Sequence, residues 1–170
     1  MSSQPLIVLR FRDIDIDKKE TIRRHRLIIN DRGYCWWGWL FRPHERNPHQ
    51  ELNEIHAKLM AATDGCPYPV GLYDTGQGLI YTATCDAVTT WATSGFSPEV
   101  DFTPDYYRTK RAPAWFRFRE ITEASADAVI GRVCESMPSA DPECYIDLLG
   151  KKVEKIRDLR RQEVTLWILG

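Results

Sequence analysis

Residues 34–42 read Tyr-Cys-Trp-Trp-Gly-Trp-Leu-Phe-Arg, a stretch with three tryptophans and two further aromatic residues around a single glycine. At the two-residue period of a β-strand, the odd-numbered positions share one face and the even-numbered positions share the other, and both faces are largely apolar. Such a strand is buried in a sandwich or barrel, or it covers a core with one face and contacts a ligand with the other. Because glycine inside a strand often marks a close approach to the backbone, we expect ligand recognition near Gly38.

The bulk composition predicts a single globular domain over residues 1–170. Of the 170 residues, 43% are hydrophobic and 28% are charged, which is enough apolar material for a core without disulfide or metal staples. No apolar run reaches the length of a membrane span, and the first residues lack the basic and apolar regions of a signal peptide. The chain ends directly after a predicted strand, which fits either a complete small protein or the N-terminal module of a longer one.

The five cysteines indicate a reducing environment. They are odd in number, scattered, and include no Cys-x-x-Cys pair. Disulfides are rare in the cytoplasm, so free thiols in that compartment are the simplest explanation. We therefore expect a cytoplasmic protein without membrane contact.

Charge is unevenly distributed along the chain, although the net charge is only −1. Residues 10–32 contain eight basic and five acidic residues, residues 105–119 five basic and one acidic, and residues 151–161 six basic and two acidic. Residues 120–147 instead carry seven acids and one arginine. This distribution predicts a molecule with charged sides, or else ordinary solvated helix faces, and the net charge alone predicts no polyanionic partner.

Hydrophobic periodicity predicts two early helices and a strand-rich second half. The predicted elements are a strand at 5–12, a helix at 17–31, the tryptophan strand at 34–42, a helix at 48–63, a hairpin of strands at 70–73 and 79–89, a loop at 90–104, a helical turn at 105–108, a strand at 114–121, a weak helix at 125–134, a short strand at 144–148, a helix at 151–161 and a strand at 163–169. Gly33 is predicted to end the first helix and Asn47 to cap the second. The pattern favours an α+β domain, a small and mostly antiparallel β-barrel with two or three flanking helices.

The sequence lacks the familiar catalytic and metal-binding patterns. His49 and His56 are seven residues apart, about 10 Å along a helix, which is too far for a shared zinc ion. There is no Gly-x-Ser-x-Gly elbow, and Gly76-Gln77-Gly78 has neither the lysine nor the strand-to-helix setting of a phosphate-binding loop. We therefore expect no catalytic residue, no metal and no cofactor.

A set of aromatic and basic residues remains as the candidate site. The predicted ligand-binding residues are Trp36, Gly38, Trp91, Tyr106, Tyr107, Trp115, Arg117 and Arg119. Flat aromatic walls with arginines at the rim suit a single-stranded or extruded base, because stacking contributes about 1–3 kcal/mol per base. The same walls could form a cage for a methylated base or a cationic group. The competing interpretation is that most of these rings fill the core of a small barrel.

Four segments of the chain resemble the PUA-like superfamily, the small pseudo-barrels that include the EVE, YTH and ASCH groups. The similarity rests on residues 35–39 (Cys-Trp-Trp-Gly-Trp), 78–83 (Gly-Leu-Ile-Tyr-Thr-Ala), 104–108 (Pro-Asp-Tyr-Tyr-Arg) and 114–118 (Ala-Trp-Phe-Arg-Phe), and it extends over residues 5–169. The resemblance implies a pseudo-barrel that binds RNA or a modified base in an aromatic cage. The chain lacks the lysine-bearing catalytic pattern of the ASCH amidohydrolases.

Two functions follow from these patterns. In the first, the chain is a non-catalytic binding or sensor module that recognises nucleic acid, a modified base or a nucleotide-like ligand through the aromatic cleft and its arginine rim. This hypothesis predicts that Trp36→Ala or Trp115→Ala abolishes binding and leaves the fold cooperative. In the second, the chain is a regulatory domain whose aromatic surface docks a partner protein or a downstream effector domain.

Overall fold

The computed structural model describes residues 4–13, 16–40, 47–125 and 165–169. Its elements are, in chain order, β1 (Leu6–Phe11), α1 (Glu20–Arg32), β2 (Cys35–Trp39), α2 (His49–Ala62), β3 (Tyr68–Asp74), β4 (Leu79–Gly95), two short 3₁₀ turns (Val100–Phe102 and Asp105–Tyr107), β5 (Ala112–Ala124) and β6 (Leu166–Leu169). Each helix and strand lies at a position where the sequence predicts one, whereas the first 3₁₀ turn falls within the predicted loop at 90–104; other differences are described below.

The six strands form one sheet in the order β2-β5-β4-β3-β1-β6. Four pairings are antiparallel, and β1 pairs with β3 in parallel. The parallel pairing is possible because α1, β2 and α2 lie between these two strands in the chain and provide the long crossover that it requires. The α+β class is thus confirmed.

The closed barrel is not confirmed. Over the described residues, β2 and β6 are the two edges of the sheet, and no hydrogen-bonded pairing joins them. The pairings of β2 and β6 are with β5 and β1 respectively. Closure of a barrel requires a continuous ladder between the edge strands. The sheet is therefore open and mixed.

Helix α1 has well-defined ends. The Asp13 carboxylate accepts hydrogen bonds from the backbone N–H groups of Lys19 (3.0 Å) and Thr21 (3.1 Å), which satisfies donors at the start of the helix. The helix stops at Gly33, as predicted, where a φ of 94° and an N–H bond to the Ile29 carbonyl form the C-terminal cap. α1 packs against β2 and β5.

Helix α2 does not use its predicted cap. Pro48 occupies the N-cap position, so Asn47 lies one residue too early to cap the helix. The Asn47 side-chain Nδ2 instead donates to the backbone carbonyls of Trp91 (2.7 Å) and Ala92 (3.0 Å). This residue therefore ties the start of α2 to the end of β4.

One hydrophobic core joins the sheet to both helices. Trp37 and Trp39 of β2 belong to it, together with Ile22 of α1 and Leu52 and Leu59 of α2. Full burial of such side chains contributes roughly 1.5–3 kcal/mol each. Trp37 and Trp39 of the tryptophan strand are therefore core residues, while Phe41 lies outside the described residues.

The predicted loop begins too early. β4 continues to Gly95, and its pairing with β5 shifts register between Thr90 and Gly95. The shift breaks the alternation of apolar and polar side chains, which explains why the sequence pattern misses the end of the strand. The connection that remains is residues 96–111, which we call the covering loop, and its second 3₁₀ turn matches the helical turn predicted at 105–108.

The last part of the chain is described only at β6. The helices predicted at 125–134 and 151–161 and the strand predicted at 144–148 lie outside the described residues, apart from Ser125. β6 pairs antiparallel with β1, which confirms the final strand. Within the described part, neither helix combines the length and the apolar character that crossing a membrane requires.

Candidate functional site

The even-numbered face of β2 carries a closed aromatic cluster. Its buried members are Trp36, Tyr107, Ala112 and Trp115. Trp36 is 4% exposed and Trp115 is 0% exposed. The two tryptophans expected to wall an open cleft are therefore inside the protein.

The group that closely approaches Gly38 is a side chain of the protein itself. A Cβ atom built on Gly38 would lie 2.8–3.1 Å from three ring carbons of Trp115, closer than real Cβ contacts allow. The register of β2 and β5 places the two residues directly opposite each other. The absence of a side chain at Gly38 thus allows the indole of Trp115 to lie over the strand, and on this face no space remains for a ligand.

The covering loop closes this cluster with hydrogen bonds. The Glu99 carboxylate accepts from the Tyr34 hydroxyl (2.8 Å) and from Trp36 Nε1 (3.0 Å). The hydrogen bond to Glu99 is the main reason why the pKa of Tyr34 is raised. Phe102 of the same loop stacks on the Tyr34 ring, with centroids 4.3 Å apart. The polar atoms of Tyr34 and Trp36 are therefore satisfied within the protein.

The other aromatic residues of the predicted site belong to the same cluster. Trp91 is half-buried, and its ring covers Gly95 so closely that a Cβ atom there would collide with it. Trp115 Nε1 donates to the Gly95 carbonyl (2.9 Å). The Tyr106 hydroxyl donates to Thr21 Oγ1 (3.0 Å), and burial raises the pKa of Tyr106. These contacts account for the polar groups of Trp115 and Tyr106.

The predicted arginine rim is neutralised by an acid. Asp86 accepts hydrogen bonds from Arg117 Nε and Arg119 Nε, both at 2.6 Å. Burial alone would raise the pKa of Asp86, but the two guanidinium groups outweigh it and lower the pKa. Both guanidinium groups also lie 5.0 Å from the centre of the Tyr34 ring. This rim is consequently an ion-paired support for the cluster.

An open cavity lies elsewhere, where the ends of β1 and β2 meet. Its volume is about 230 Å³. The described residues that line it are Arg10, Phe11, Arg12, Trp37, Gly38, Trp39, Leu40, Thr75, Tyr107 and Thr165. Four aromatic side chains and two arginines therefore surround one space.

Contacts across the core bring the two strand ends together. Phe11 of β1 meets Trp37 of β2 edge to face, with centroids 5.1 Å apart. Trp39 Nε1 donates to Thr165 Oγ1 (2.9 Å), and the Arg10 backbone N–H donates to the Thr165 carbonyl (2.8 Å). Three strands separate β1 from β2 in the sheet order, so only the curvature of the sheet allows these contacts.

The electrostatics of the cavity favour an anion. Arg10 is half-buried and Arg12 is exposed. The Arg12 side chain makes no hydrogen bond or ion pair with any residue that the structure describes. No carboxylate occurs among the described lining residues. A guanidinium beside aromatic walls suits a phosphate attached to a flat ring.

His25 supports the cavity wall from behind. It is fully buried, and its ring lies 4.4 Å from the Trp37 ring and 5.4 Å from the Tyr107 ring. Burial lowers its pKa to about 4, so the imidazole is neutral at pH 7. Its Nδ1 lies 2.6 Å from the Thr21 carbonyl, which makes Nδ1 the donor in the neutral ring. His25 is thus a packing residue for two walls.

The predicted residues are divided between two places. Of the eight, only Gly38 and Tyr107 line the cavity. The prediction missed the lining residues Phe11, Arg10, Arg12 and Thr75. The sequence does show two arginines, Arg10 and Arg12, at the end of an otherwise apolar strand. The alternation of that strand, however, places their side chains toward solvent.

The described residues contain no assembled metal or nucleophile site. Over residues 4–13, 16–40, 47–125 and 165–169, no three His, Cys, Asp or Glu side chains converge as metal ligands. Cys35 and Cys85 are buried free thiols, and burial raises the pKa of both, that of Cys85 to about 12. Both are therefore protonated at neutral pH and poor nucleophiles.

Comparison with known proteins identifies the family. No curated protein and no solved structure shows a significant match to the chain. A family model described as Pua-like matches residues 7–170, which is nearly the whole sequence and includes every described element from β1 to β6. This chain therefore belongs to the Pua-like family.

Proposed function

We propose that this protein is a non-catalytic module that binds nucleic acid or a nucleotide-like ligand in the cavity at the ends of β1 and β2. The observation that carries the proposal is an aromatic cavity with Arg12 at its edge, an arginine that pairs with none of the described residues, in a chain of the Pua-like family. The proposal moves the site away from Trp36 and Trp115, which do not line the cavity.

The lining suits a flat ring that carries a negative charge. Phe11, Trp37, Trp39 and Tyr107 present small exposed parts of their rings to the cavity (8%, 2%, 1% and 7% exposed), which gives a flat ring an apolar wall. Arg12 can donate several hydrogen bonds to a phosphate. The backbone of Gly38 completes one side of the cavity without a side chain.

The chemistry of the lining supports binding rather than catalysis. The described lining residues include no carboxylate, imidazole or thiol that could act as a general base or nucleophile. Among the described histidines, His25 packs behind the lining residue Trp37, and its imidazole is neutral. A sensor or recognition role in the cytoplasm is the function that this composition favours.

The partner-docking alternative has less support. It requires an exposed aromatic surface, and the aromatic rings on which it depended are largely covered. Phe96 and Val100 are exposed large apolar residues on the covering loop, but the Arg111 guanidinium already lies over the Phe96 ring at 4.6 Å. We therefore favour the nucleotide-binding function.

The decisive experiment is a titration with Arg12→Gln. Nucleoside monophosphates and short RNA and DNA oligonucleotides are screened by thermal shift, since a bound ligand raises the melting temperature. The affinity for the strongest ligand is then measured, and Arg12→Gln should weaken it about tenfold, because it removes one charged hydrogen-bond donor.

The matched control is Arg111→Gln. Arg111 is an exposed arginine on the covering loop and does not line the cavity, so the control removes the same charge and should leave the affinity within twofold. The proposal fails if none of the probes binds the folded protein. It fails equally if both variants weaken binding to the same extent.

A further inference from the structure

We propose that the covering loop is a self-association surface, through which two copies of the chain form a weak dimer with two-fold symmetry. The surface consists of three exposed apolar side chains, Phe96, Pro98 and Val100, which we call the apolar ridge. A cation lies at one end of this ridge and an anion at the other. The proposed dimer is independent of ligand binding, since none of the ridge residues lines the cavity.

The apolar ridge results from a loop in which burial alternates from residue to residue. Ser97 is buried and Glu99 is half-buried, whereas the residues on either side of them are exposed. Phe96 is 47% exposed and Val100 is 50% exposed, and they are two of four exposed large apolar residues in the described part of the chain. Single exposed apolar residues are common on protein surfaces, but two within five residues, with Pro98 between them, form a patch.

The inward-facing residues hold the ridge in one conformation. The Glu99 carboxylate accepts hydrogen bonds from Tyr34 and Trp36, and its backbone carbonyl accepts one from Thr103 Oγ1 (2.7 Å). Ser97 Oγ lies within hydrogen-bond distance of the same Thr103 hydroxyl. A surface that is ordered before binding loses little conformational entropy when a partner binds, which favours association.

The two ends of the ridge carry opposite charges. The Arg111 guanidinium lies 4.6 Å from the centre of the Phe96 ring, and Asp101 follows Val100 in the chain. Both charged residues are exposed. Neither side chain forms an ion pair or a hydrogen bond with a residue that the structure describes. An aromatic ring with an arginine over it is typical of the residues that dominate binding energy in interfaces.

The arginines that share a groove with Asp101 already have other partners. The groove has a volume of about 380 Å³, and three arginines line it together with Asp101. Each of the three pairs with a different acid: Arg24 with Glu20 (3.1 Å), Arg32 with Asp31 (3.7 Å) and Arg108 with Asp105 (3.1 Å). Asp101 can therefore pair with a cation of another molecule.

A second copy of the chain complements this surface better than a partner with one sign of charge. In a two-fold contact, each residue of one copy meets the symmetry-related position of the other, so two ridges pack antiparallel. Arg111 of each copy then faces Asp101 of the other, and the apolar side chains lie between the two ion pairs. A strongly acidic or strongly basic partner would satisfy one end and repel the other. The net charge of −1 adds little long-range repulsion between copies.

The size of the ridge predicts a weak dimer. A standard stable interface buries about 800 Å² on each partner, over some 20–30 residues. Three apolar side chains and one ion pair at each end cover much less than that area. We therefore expect a reversible dimer that forms as the protein concentration rises and dissociates on dilution.

The first test is sedimentation equilibrium of the whole chain at protein concentrations between about 1 μM and 1 mM, the range in which weak association is measurable. Phe96→Ser and Val100→Ser should each weaken dimerisation about tenfold, because each substitution occurs twice in a two-fold contact. The matched control is Leu40→Ser, which removes a leucine that is 37% exposed and lies outside the covering loop. It should leave the dimerisation constant within about twofold.

The second test reverses the charges one at a time. Arg111→Asp and Asp101→Arg should each weaken self-association about tenfold, because both ends of the contact then bring like charges together. An equimolar mixture of the two single variants should associate within about threefold of the wild type, since each copy supplies the charge that the other lacks. Circular dichroism and thermal unfolding of each variant verify that the chain is folded.

Three results would overturn the proposed dimer. The wild type could remain monomeric over the whole range of concentrations. The dimer could persist unchanged in Phe96→Ser and Val100→Ser, which would place the contact elsewhere on the molecule. Mixing the two charge-reversed variants could leave them as weakly associated as each is alone, in which case Arg111 and Asp101 do not meet across the contact.

Discussion

The two faces of β2 have similar composition but different surroundings. On the even-numbered face, the Trp115 ring covers Gly38, and Glu99 of the covering loop accepts the hydrogen bond of Trp36. On the odd-numbered face, Trp37 and Trp39 belong to the core, yet they also line a cavity with Arg12 at its edge. One face is closed by the protein itself, and the other leaves space and an unpaired charge.

This difference shows that aromatic density does not locate a binding site. Aromatic rings are the largest apolar side chains, so they collect wherever a core must be filled. The closed cluster and the cavity differ in whether the charged groups around their rings already have partners. Arg117 and Arg119 are paired with Asp86, whereas Arg12 has no partner among the described residues. Available charge beside an open cavity is the more informative signal.

Replacement of Trp115 by alanine is the strongest test of the difference between the two faces of β2. This side chain is fully buried, so Trp115→Ala should reduce the free energy of unfolding by about 3–5 kcal/mol. The measurement is urea unfolding followed by circular dichroism. Trp91→Ala is the matched control, since Trp91 is half-buried and should cost clearly less. A loss below about 1 kcal/mol for Trp115→Ala would show that the cluster is open to solvent.

Acidification should lower the free energy of unfolding through His25, which packs behind two walls of the cavity. Burial lowers the pKa of His25 from 6.5 to about 4, so the folded state favours the neutral ring. The unfolded chain binds the proton first as the pH falls, and stability is therefore lost between about pH 6.5 and pH 4. A shift of this size corresponds to about 3 kcal/mol.

A variant without a titratable side chain at position 25 shows whether His25 causes the pH effect. The free energy of unfolding is measured between pH 7 and pH 4 for the wild type and for His25→Gln. The difference between the two curves should grow as the pH rises through this window, because only the wild type carries the contribution of His25, whereas other groups with a lowered pKa, such as His56, act in both proteins. Parallel curves would mean that His25 is hydrated and titrates as in the unfolded chain.

Most of the elements could be predicted from the sequence, because local periodicity determines them. The alternation of apolar residues located β1, β2 and β5, and Gly33 marked the end of α1. The end of β4 was missed because the register shift after Thr90 interrupts the alternation. The open, mixed sheet was missed because strand order depends on contacts between distant segments, about which periodicity says nothing.

The site was less predictable than the fold for the same reason. Strand alternation correctly placed Arg117 and Arg119 opposite the buried Phe116 and Phe118, but it did not reveal that Asp86 pairs with both arginines. The pairing of β4 with β5 shifts register on both sides of Cys85, which leaves Asp86 and Arg119 without opposite partners in the ladder. The cavity depends on β1 and β2 meeting across three intervening strands. Neither arrangement leaves a pattern in the local sequence.

A side chain at Gly38 tests the packing of the closed face. Gly38→Ala would place a Cβ atom 2.8 Å from the Trp115 ring, which is held by a hydrogen bond to Gly95 and cannot move freely. We expect a loss of about 1–3 kcal/mol in the free energy of unfolding, the usual cost of overpacking. Gly76→Ala is the control, since its nearest neighbour lies at 3.3 Å at an exposed turn. Equal stability of the two variants would show that Trp115 has room to shift.

Glu99→Gln is expected to have the smallest effect on stability, but it separates the closed face from the cavity most clearly. Glu99→Gln removes the negative charge and one of the two acceptor oxygens, so the Tyr34 hydroxyl, which reaches both oxygens, and Trp36 Nε1 must share the oxygen that remains. We expect the weaker, uncharged hydrogen bonds to cost about 1 kcal/mol. Because Glu99 does not line the cavity, the affinity for the nucleotide probe should stay within twofold. Arg12→Gln should show the opposite pattern, with weaker binding and unchanged stability. If Glu99→Gln weakens binding as much as Arg12→Gln does, the covering loop contributes to the binding site through more than its lining residue Tyr107, and the division between a closed face and an open face does not hold.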